Sequence, residues 1–308
     1  MARVLGLHHV TLLTANAVAA DRFMRTQLGL ARVKQTVNAD RPDSYHLFYG
    51  DAAGRPGTLV TVAAFANLPT GLPGVGEIAE PVFTVAPGAL TEWHPLFHQS
   101  GYTVHGKQRS FDRNRLFVEG PDSERIVLQV DPQDARPPRS VPFGGRAGIR
   151  GLHSILLRVR DAADADRLLA ALGYTVHAQD GDVTRYAVER VEGGRFVDVV
   201  ATPNGPNAQL GAGSVHHAAF TAADDEALFA LEDAIRNAGF ETTQIADRRY
   251  FRSFFFRGPD GLLLEVATDG PGFAVDEDEG ALGNRLVLLE EHERDRSRIE
   301  ANLEPLDA

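Results

Sequence analysis

The 308-residue chain contains no cysteine. Without thiols there is neither a disulfide framework nor thiolate ligation, so any bound metal must be held by His, Asp or Glu. The same lack suits a reducing cytoplasm, where the protein is expected to reside. No run of 18 apolar residues occurs, and the short apolar stretch of MARVLGLHHVTLL is interrupted by a His pair, so neither a membrane span nor a signal peptide is expected. Positive charge is the scarcer sign, with 31 Lys and Arg against 42 Asp and Glu and a formal charge of −11. Phosphate binding needs clustered Lys and Arg, so the balance argues against a nucleic-acid partner and for a small, uncharged or cation-tolerant one. At 43% hydrophobic and 24% charged the chain is globular in composition, and its length admits two ordinary domains.

What is present is a repeat. Gly-Tyr-Thr-Val-His occurs at 101–105 and again at 173–177; GLHHVTLL (6–13) echoes GLHSILLRV (151–159) and SVHHAAFTA (214–222); GPDGLLLEV echoes GPDSERIVLQV. These matches divide the chain into four units, roughly 4–66, 76–132, 149–203 and 213–269. Each opens with an apolar strand, continues through a helix capped by a polar residue such as Asn16, Asp161 or Asp224, and ends in further β-rich runs, giving a βαβββ pattern. In the fourth unit Leu228, Leu231, Ala234, Ile235 and Ala238 share one helix face, and Gly239 stops the helix. The fold class is α+β. In domain terms we expect an N-terminal half at 1–134, a Pro-, Gly- and Arg-rich linker at 135–147, a C-terminal half at 148–270, and an acidic, partly helical tail at 271–308.

Among the eleven histidines, two places differ from the rest. His8-His9 and His216-His217 are adjacent pairs at the same position of the first strand in units one and four, whereas His94, His98, His105, His177 and His292 have no partner at ligand spacing. Neighbours on a strand point to opposite faces, so one His of each pair can face the concave side of a sheet. The phase of the following β run assigns His9 and His217 inward. Glu265 lies in an apolar strand, Leu262 to Val266, where a bare carboxylate is costly and needs a cation. That cation is a metal, or an arginine such as Arg248 or Arg252.

These features resemble the vicinal oxygen chelate superfamily, which includes glyoxalase I, bleomycin-resistance proteins and extradiol dioxygenases and is built from paired βαβββ modules. The resemblance implies two barrel-like halves, with ligand slots on the first and last strands of two modules that share a barrel. The slots hold His9 and Thr61 in unit one, Phe83 or a neighbour and Gln129 in unit two, Ser154 and Val199 in unit three, and His217 and Glu265 in unit four. Units one and four must therefore pair at the metal site. Thr61 in the fourth slot leaves two His and one Glu, the facial triad of non-haem Fe(II) oxygenases. A glyoxalase-type isomerase would fill that slot.

More narrowly, YHLFYGDAAGRPGTLVT (45–61), DRRYFRSFFFRGPDGLLLEVATD (247–269) and LVLLEEHERDRSRIEANLEPL resemble the hydroquinone-type ring-cleaving dioxygenases of that superfamily. By that resemblance His9, His217 and Glu265 are the ligands of Fe(II), with Mn(II) as the other ion of this ligand type. His8, His216 and Arg248 surround the bound ring, and the partners are a hydroquinone- or catechol-type aromatic and O2. Tyr45, Tyr250 and Phe255 are candidates for the substrate wall, with Phe254 and Phe256 as further aromatics there. The chain departs from the family where Phe255-Phe256-Arg257 replaces Tyr-Phe-Arg, because phenylalanine donates no proton. His8 or His216 would take over acid/base work, or Tyr250 would substitute. A metal-dependent isomerase or lyase, and a non-catalytic aromatic-binding or resistance protein, are the alternatives. Assembly into a homo-oligomer is left open.

Overall fold

The computed structural model describes residues 2–138, 147–189, 191 and 193–306; most of the expected linker, 139–146, lies outside them. All the strands and the first four α-helices follow the four units, and two short helices lie beyond them. Unit one comprises β1 (Leu7–Thr14), α1 (Ala17–Arg22), β2 (Ala31–Val37), β3 (Tyr45–Gly50) and β4 (Leu59–Ala64), and unit two β5 (Glu77–Val85), α2 (Leu90–Gln99), β6 (Val104–Ser110), β7 (Arg113–Glu119) and β8 (Arg125–Val130). Unit three comprises β9 (Gly151–Val159), α3 (Ala162–Ala171), β10 (Thr175–Asp180), β11 (Val183–Ala187) and β12 (Phe196–Ala201). Unit four comprises β13 (Val215–Ala222), α4 (Asp225–Asn237), β14 (Ala246–Asp247), β15 (Phe251–Arg257) and β16 (Leu263–Pro271), and the tail holds α5 (Glu290–Glu293) and α6 (Arg296–Asn302).

The expected caps are made. Asn16 accepts the Ala19 N–H, Asp161 the Ala163 N–H and Asp224 the Ala227 N–H, satisfying donors that a helix start leaves open. Gly239 adopts φ +89 beyond α4, where a side chain would be strained. Leu228, Leu231 and Ile235 are fully buried, so the apolar stripe read from the sequence is the packing face.

Two eight-stranded sheets result. One runs β14-β15-β16-β13-β1-β4-β3-β2 and unites units four and one; the other runs β10-β11-β12-β9-β5-β8-β7-β6 and unites units three and two. The ends of the chain therefore share a sheet, as the ligand slots demanded. Antiparallel β1–β13 and β5–β9 contacts join the modules. The main core, including Trp93, Phe97, Phe23 and Phe220, is one continuous cluster of buried side chains from both sheets and the helices. A smaller cluster, Val33, Phe48, Leu59, Tyr250, Phe251, Ala267, Phe273 and Leu282, lies on the other face of the first sheet. The tail closes against that sheet: Lys34, without exposed surface, is ion-paired to Asp276 and Glu277, and Tyr45 donates to the Glu304 carbonyl at 3.1 Å. No helix among the described residues is long and apolar enough to cross a membrane.

Candidate metal centre

Strict alternation along β1 and β13 would turn His8 and His216 away from their neighbours, but the strands do not alternate strictly. Pairing steps from Leu7–Phe220 to His9–Ala219, leaving out His8, and from Thr11–His217 to Leu12–Val215, leaving out His216. Each extra residue forms a β-bulge, which bends the strand and re-aims its side chain. Both rings of each pair consequently meet: His8 Nδ1 lies 2.9 Å from His9 Nδ1, and His216 Nδ1 lies 2.8 Å from His217 Nδ1.

With their Nδ1 atoms engaged, His9 and His217 turn their Nε2 atoms to a common point. The two are 3.2 Å apart, and each is 3.3 Å from Glu265 Oε2. All three residues are buried. Donors about 2.1 Å from one ion, at angles between octahedral and tetrahedral, stand roughly 3.0–3.4 Å apart. The triangle has that size. Its chemistry agrees, because Glu265 Oε2 is buried and in hydrogen-bond geometry with nothing. Neither arginine offered as a partner reaches it: Arg248 Nε donates to Ser253 and Arg252 pairs with Asp225. A cation in the triangle would satisfy three lone pairs at once, so the residues fit a metal ion.

Metal ligation would also fix the tautomers. If the Nε2 lone pairs of His9 and His217 face a cation, their protons sit on Nδ1 and are donated to Nδ1 of His8 and His216, as in other metal sites whose ligand imidazoles are held from behind. His8 and His216 then carry their own protons on Nε2. His8 Nε2 is buried without a hydrogen-bond partner. Burial, followed by the neighbouring His9, lowers the His8 pKa to about 3; burial and His217 lower that of His216 to about 4. Burial also lowers His217, against the raising effect of Glu265. For Glu265, burial acts to raise the pKa, but the facing His217 and His9 imidazoles outweigh it and hold the carboxyl well below its usual range.

Phe255 packs edge-on to His217 with ring centroids 5.1 Å apart, and the exposed Arg248 lies 5.4 Å over the Phe255 ring. Both therefore stand at the site. Tyr250 lies in the smaller cluster, its hydroxyl donated to Asp276 at 3.1 Å, so its proton is directed at the tail. Tyr45 is a correction: it belongs to the main core on the opposite face, and its neighbour His46 faces the site. Phe254 and Phe256 are likewise core, half a strand period out of phase with Phe255. Sequence reasoning missed His46, Thr11 and Phe251. Thr11 follows His9 by two residues and Phe251 precedes Phe255 by four, so each shared the right strand phase. Phe251 lies 5.2 Å from the His8 ring and 5.8 Å from that of His9. Thr61, in the fourth slot, is paired with Thr11.

The second sheet repeats the plan but, among the described residues, brings no three metal donors together. His153 occupies the equivalent bulge, between the Val82–Ser154 and Phe83–Leu152 pairs, which places Val82 and not Phe83 on the concave side. Gln129 bonds to His153 and Arg115 at 2.9 Å each. The slot assigned to Val199 is a second correction: Val199 lies in the core, and Asp198 takes the concave position, locked to Arg185 by two 2.7 Å hydrogen bonds.

Paired βαβββ modules curled around a buried His–His–carboxylate cluster define a protein class, and comparison with known proteins supplies its family. Residues 151–266 match the model of the Glyoxalase/Bleomycin resistance protein/Dioxygenase superfamily. The chain is 34% identical to the "Putative ring-cleaving dioxygenase MhqA" of Bacillus subtilis (strain 168) over 315 residues, covering 99% of each. It is 30% identical to a chlorohydroquinone/hydroquinone 1,2-dioxygenase of Sphingobium indicum, covering 93% of this chain and 92% of that one. The crystal structure of a "putative dioxygenase" from Bacillus subtilis superposes with a TM-score of 0.93 at 30% identity, over 99% of this chain and 98% of that one. The chain belongs to this superfamily, and within it to the group that these full-length relatives form.

Proposed function

We propose that the chain is an Fe(II)-dependent dioxygenase that opens the ring of a hydroquinone- or catechol-type dihydroxylated aromatic in the extradiol manner, with Mn(II) as the alternative ion. The observation that carries this reading is the triangle of His9, His217 and Glu265 donors beside a fourth slot filled by Thr61. Three protein ligands leave positions for both substrate and O2. Bound there, the ion supplies a Lewis acid that lowers the pKa of a phenol and holds ring and O2 in contact. The name of the Sphingobium relative supports a hydroquinone substrate.

The chain's own residues divide the remaining work. His8 and His216 orient the ligand imidazoles from behind by accepting their Nδ1 protons. Arg248, at the open side, stabilises negative charge developing on those oxygens. Phe251 and Phe255 flank the triad and exclude water, which strengthens each of these interactions. Thr61 weighs against an isomerase, for which the fourth slot would be expected to hold a carboxylate. The buried triad weighs against a binding protein, which needs none.

Iron content of variants tests the assignment. His9→Ala, His217→Ala and Glu265→Gln should lose bound iron, whereas His8→Ala and His216→Ala should keep it and lose about 10- to 100-fold in turnover, the range for groups that orient ligands. Iron retained in the first set and lost from the second would overturn it.

A further inference from the structure

A polar chain crosses the concave face of the first sheet and ends at the triad. His46, half-buried on β3, has Nε2 3.2 Å from Thr61 Oγ1. Thr61 Oγ1 is 2.7 Å from Thr11 Oγ1, and Thr11 Oγ1 is 3.0 Å from His217 Nε2. Thr61 and Thr11 are 0% and 2% exposed, so their hydroxyl protons have no bulk water to bond and must be placed within the chain. Module symmetry marks the position of His46. Phe48 pairs with Thr61 and His46 with Ala63, just as Phe255 pairs with Glu265 and Ser253 with Ala267. His46 thus holds the register of Ser253, which accepts from Arg248 at 3.4 Å. Both modules reach the site from this row.

The paired histidines leave a task undone. With the ligand tautomers fixed as above, His8 and His216 accept at Nδ1 and carry protons on Nε2, so each is a donor with no free lone pair. A phenol that ionises in the site needs an acceptor elsewhere.

We infer that Thr11, Thr61 and His46 form a proton wire that takes the phenol proton from the open side of the triad to solvent, an inference that rests on the ring-cleavage reading. With the His217 Nε2 lone pair given to a cation, the Thr11 hydroxyl, 3.0 Å from that nitrogen, would be free to accept from a bound phenol. The phenol O–H bond breaks and its proton goes to Thr11 Oγ1. Thr11 passes its own proton to Thr61 Oγ1, and Thr61 passes its own to His46 Nε2. Burial, then His217 and His9, lower the His46 pKa to about 3, so His46 hands on its Nδ1 proton toward solvent as it receives one at Nε2, and rotation of the hydroxyls with return of the tautomer resets the wire. Phenol has become phenolate, one proton has reached solvent, and no electrons have moved.

The test is anaerobic mixing of the iron-loaded protein with hydroquinone in weak buffer containing a pH indicator, with oxygen uptake and iron content measured in parallel. Wild type should release about one proton per site. Thr61→Val, which keeps shape and strand propensity, and His46→Gly should retain iron yet release the proton at least tenfold more slowly, given the roughly 10²- to 10⁴-fold typical of positioned proton-transfer groups. Added imidazole should restore His46→Gly and not Thr61→Val. Release within twofold of wild type in both iron-loaded variants, or loss of iron from both, would overturn the wire while leaving the enzyme reading intact. A wild type that neither releases a proton nor consumes oxygen with hydroquinone would remove the reading itself, and the wire with it.

Discussion

Replacing Lys34 by Met tests how the tail is fastened beside the site. Lys34 has no exposed surface, and its ammonium serves Asp276, Glu277 and, at 3.4 Å, the Phe273 carbonyl, while lying 4.8 Å over the Tyr250 ring. Removing one partner of a buried ion pair costs about 3–5 kcal/mol, because a charge is left uncompensated. Here Asp276 would keep the Tyr250 hydroxyl at 3.1 Å and Arg249 at 2.6 Å. Glu277 would not be so placed: its side chain is 2% exposed and its nearest remaining cation, Arg285, is 3.9 Å away and mostly in solvent. One stranded carboxylate out of two sets the loss near the low end, about 3 kcal/mol. At about 2–4 °C per kcal/mol for somewhat smaller proteins, the melting temperature should fall by about 6–12 °C. Urea denaturation of Lys34→Met, Glu277→Gln and the double variant measures the coupling. The double variant should recover much of the loss, since a neutral amide removes the stranded charge. A loss below about 1 kcal/mol, or strictly additive losses, would refute the reasoning.

Two further outcomes follow from single residues. Burial raises the Glu124 pKa to about 7, so the fold favours its neutral form; this contribution is present below the unfolded carboxyl pKa and disappears as pH rises through 7. Stability should therefore decline by on the order of 2 kcal/mol between pH 5 and 8, and Glu124→Gln should flatten that decline in denaturation curves taken at both pH values. Phe255→Tyr places a hydroxyl beside His217 and Arg248 and should raise hydroquinone turnover by a factor at the lower side of about 10²- to 10⁴-fold, with iron content unchanged. Lost activity would instead mean that the space is shaped for a ring substituent.

The module order and the triad were legible because they are written locally or by repetition. Asn16, Asp161 and Asp224 cap the helices they precede, and the two His pairs recur at one strand position. Pairing of the terminal units followed from requiring the donors to meet. The bulges at His8 and His216 were not legible, since a two-against-one count exists only between strands some 200 residues apart. Phase errors have the same origin. Tyr45 and His46, or Val199 and Asp198, exchange faces with a one-residue shift, and runs buried on both sides carry no alternation to fix it. Nothing within ARVKQTV marks Lys34 as buried, and its carboxylate partners come from the returning tail.

The central claim is that the His9, His217 and Glu265 centre uses O2 to open a dihydroxylated ring. Turnover of hydroquinone by the iron-loaded protein under ¹⁸O2, with the product analysed by mass spectrometry, tests it most directly. The account predicts an acyclic product carrying both atoms of one O2 molecule, formed by wild type and not by Glu265→Gln. An unlabelled product formed equally well without oxygen, or labelled product from Glu265→Gln at the wild-type rate, would contradict it.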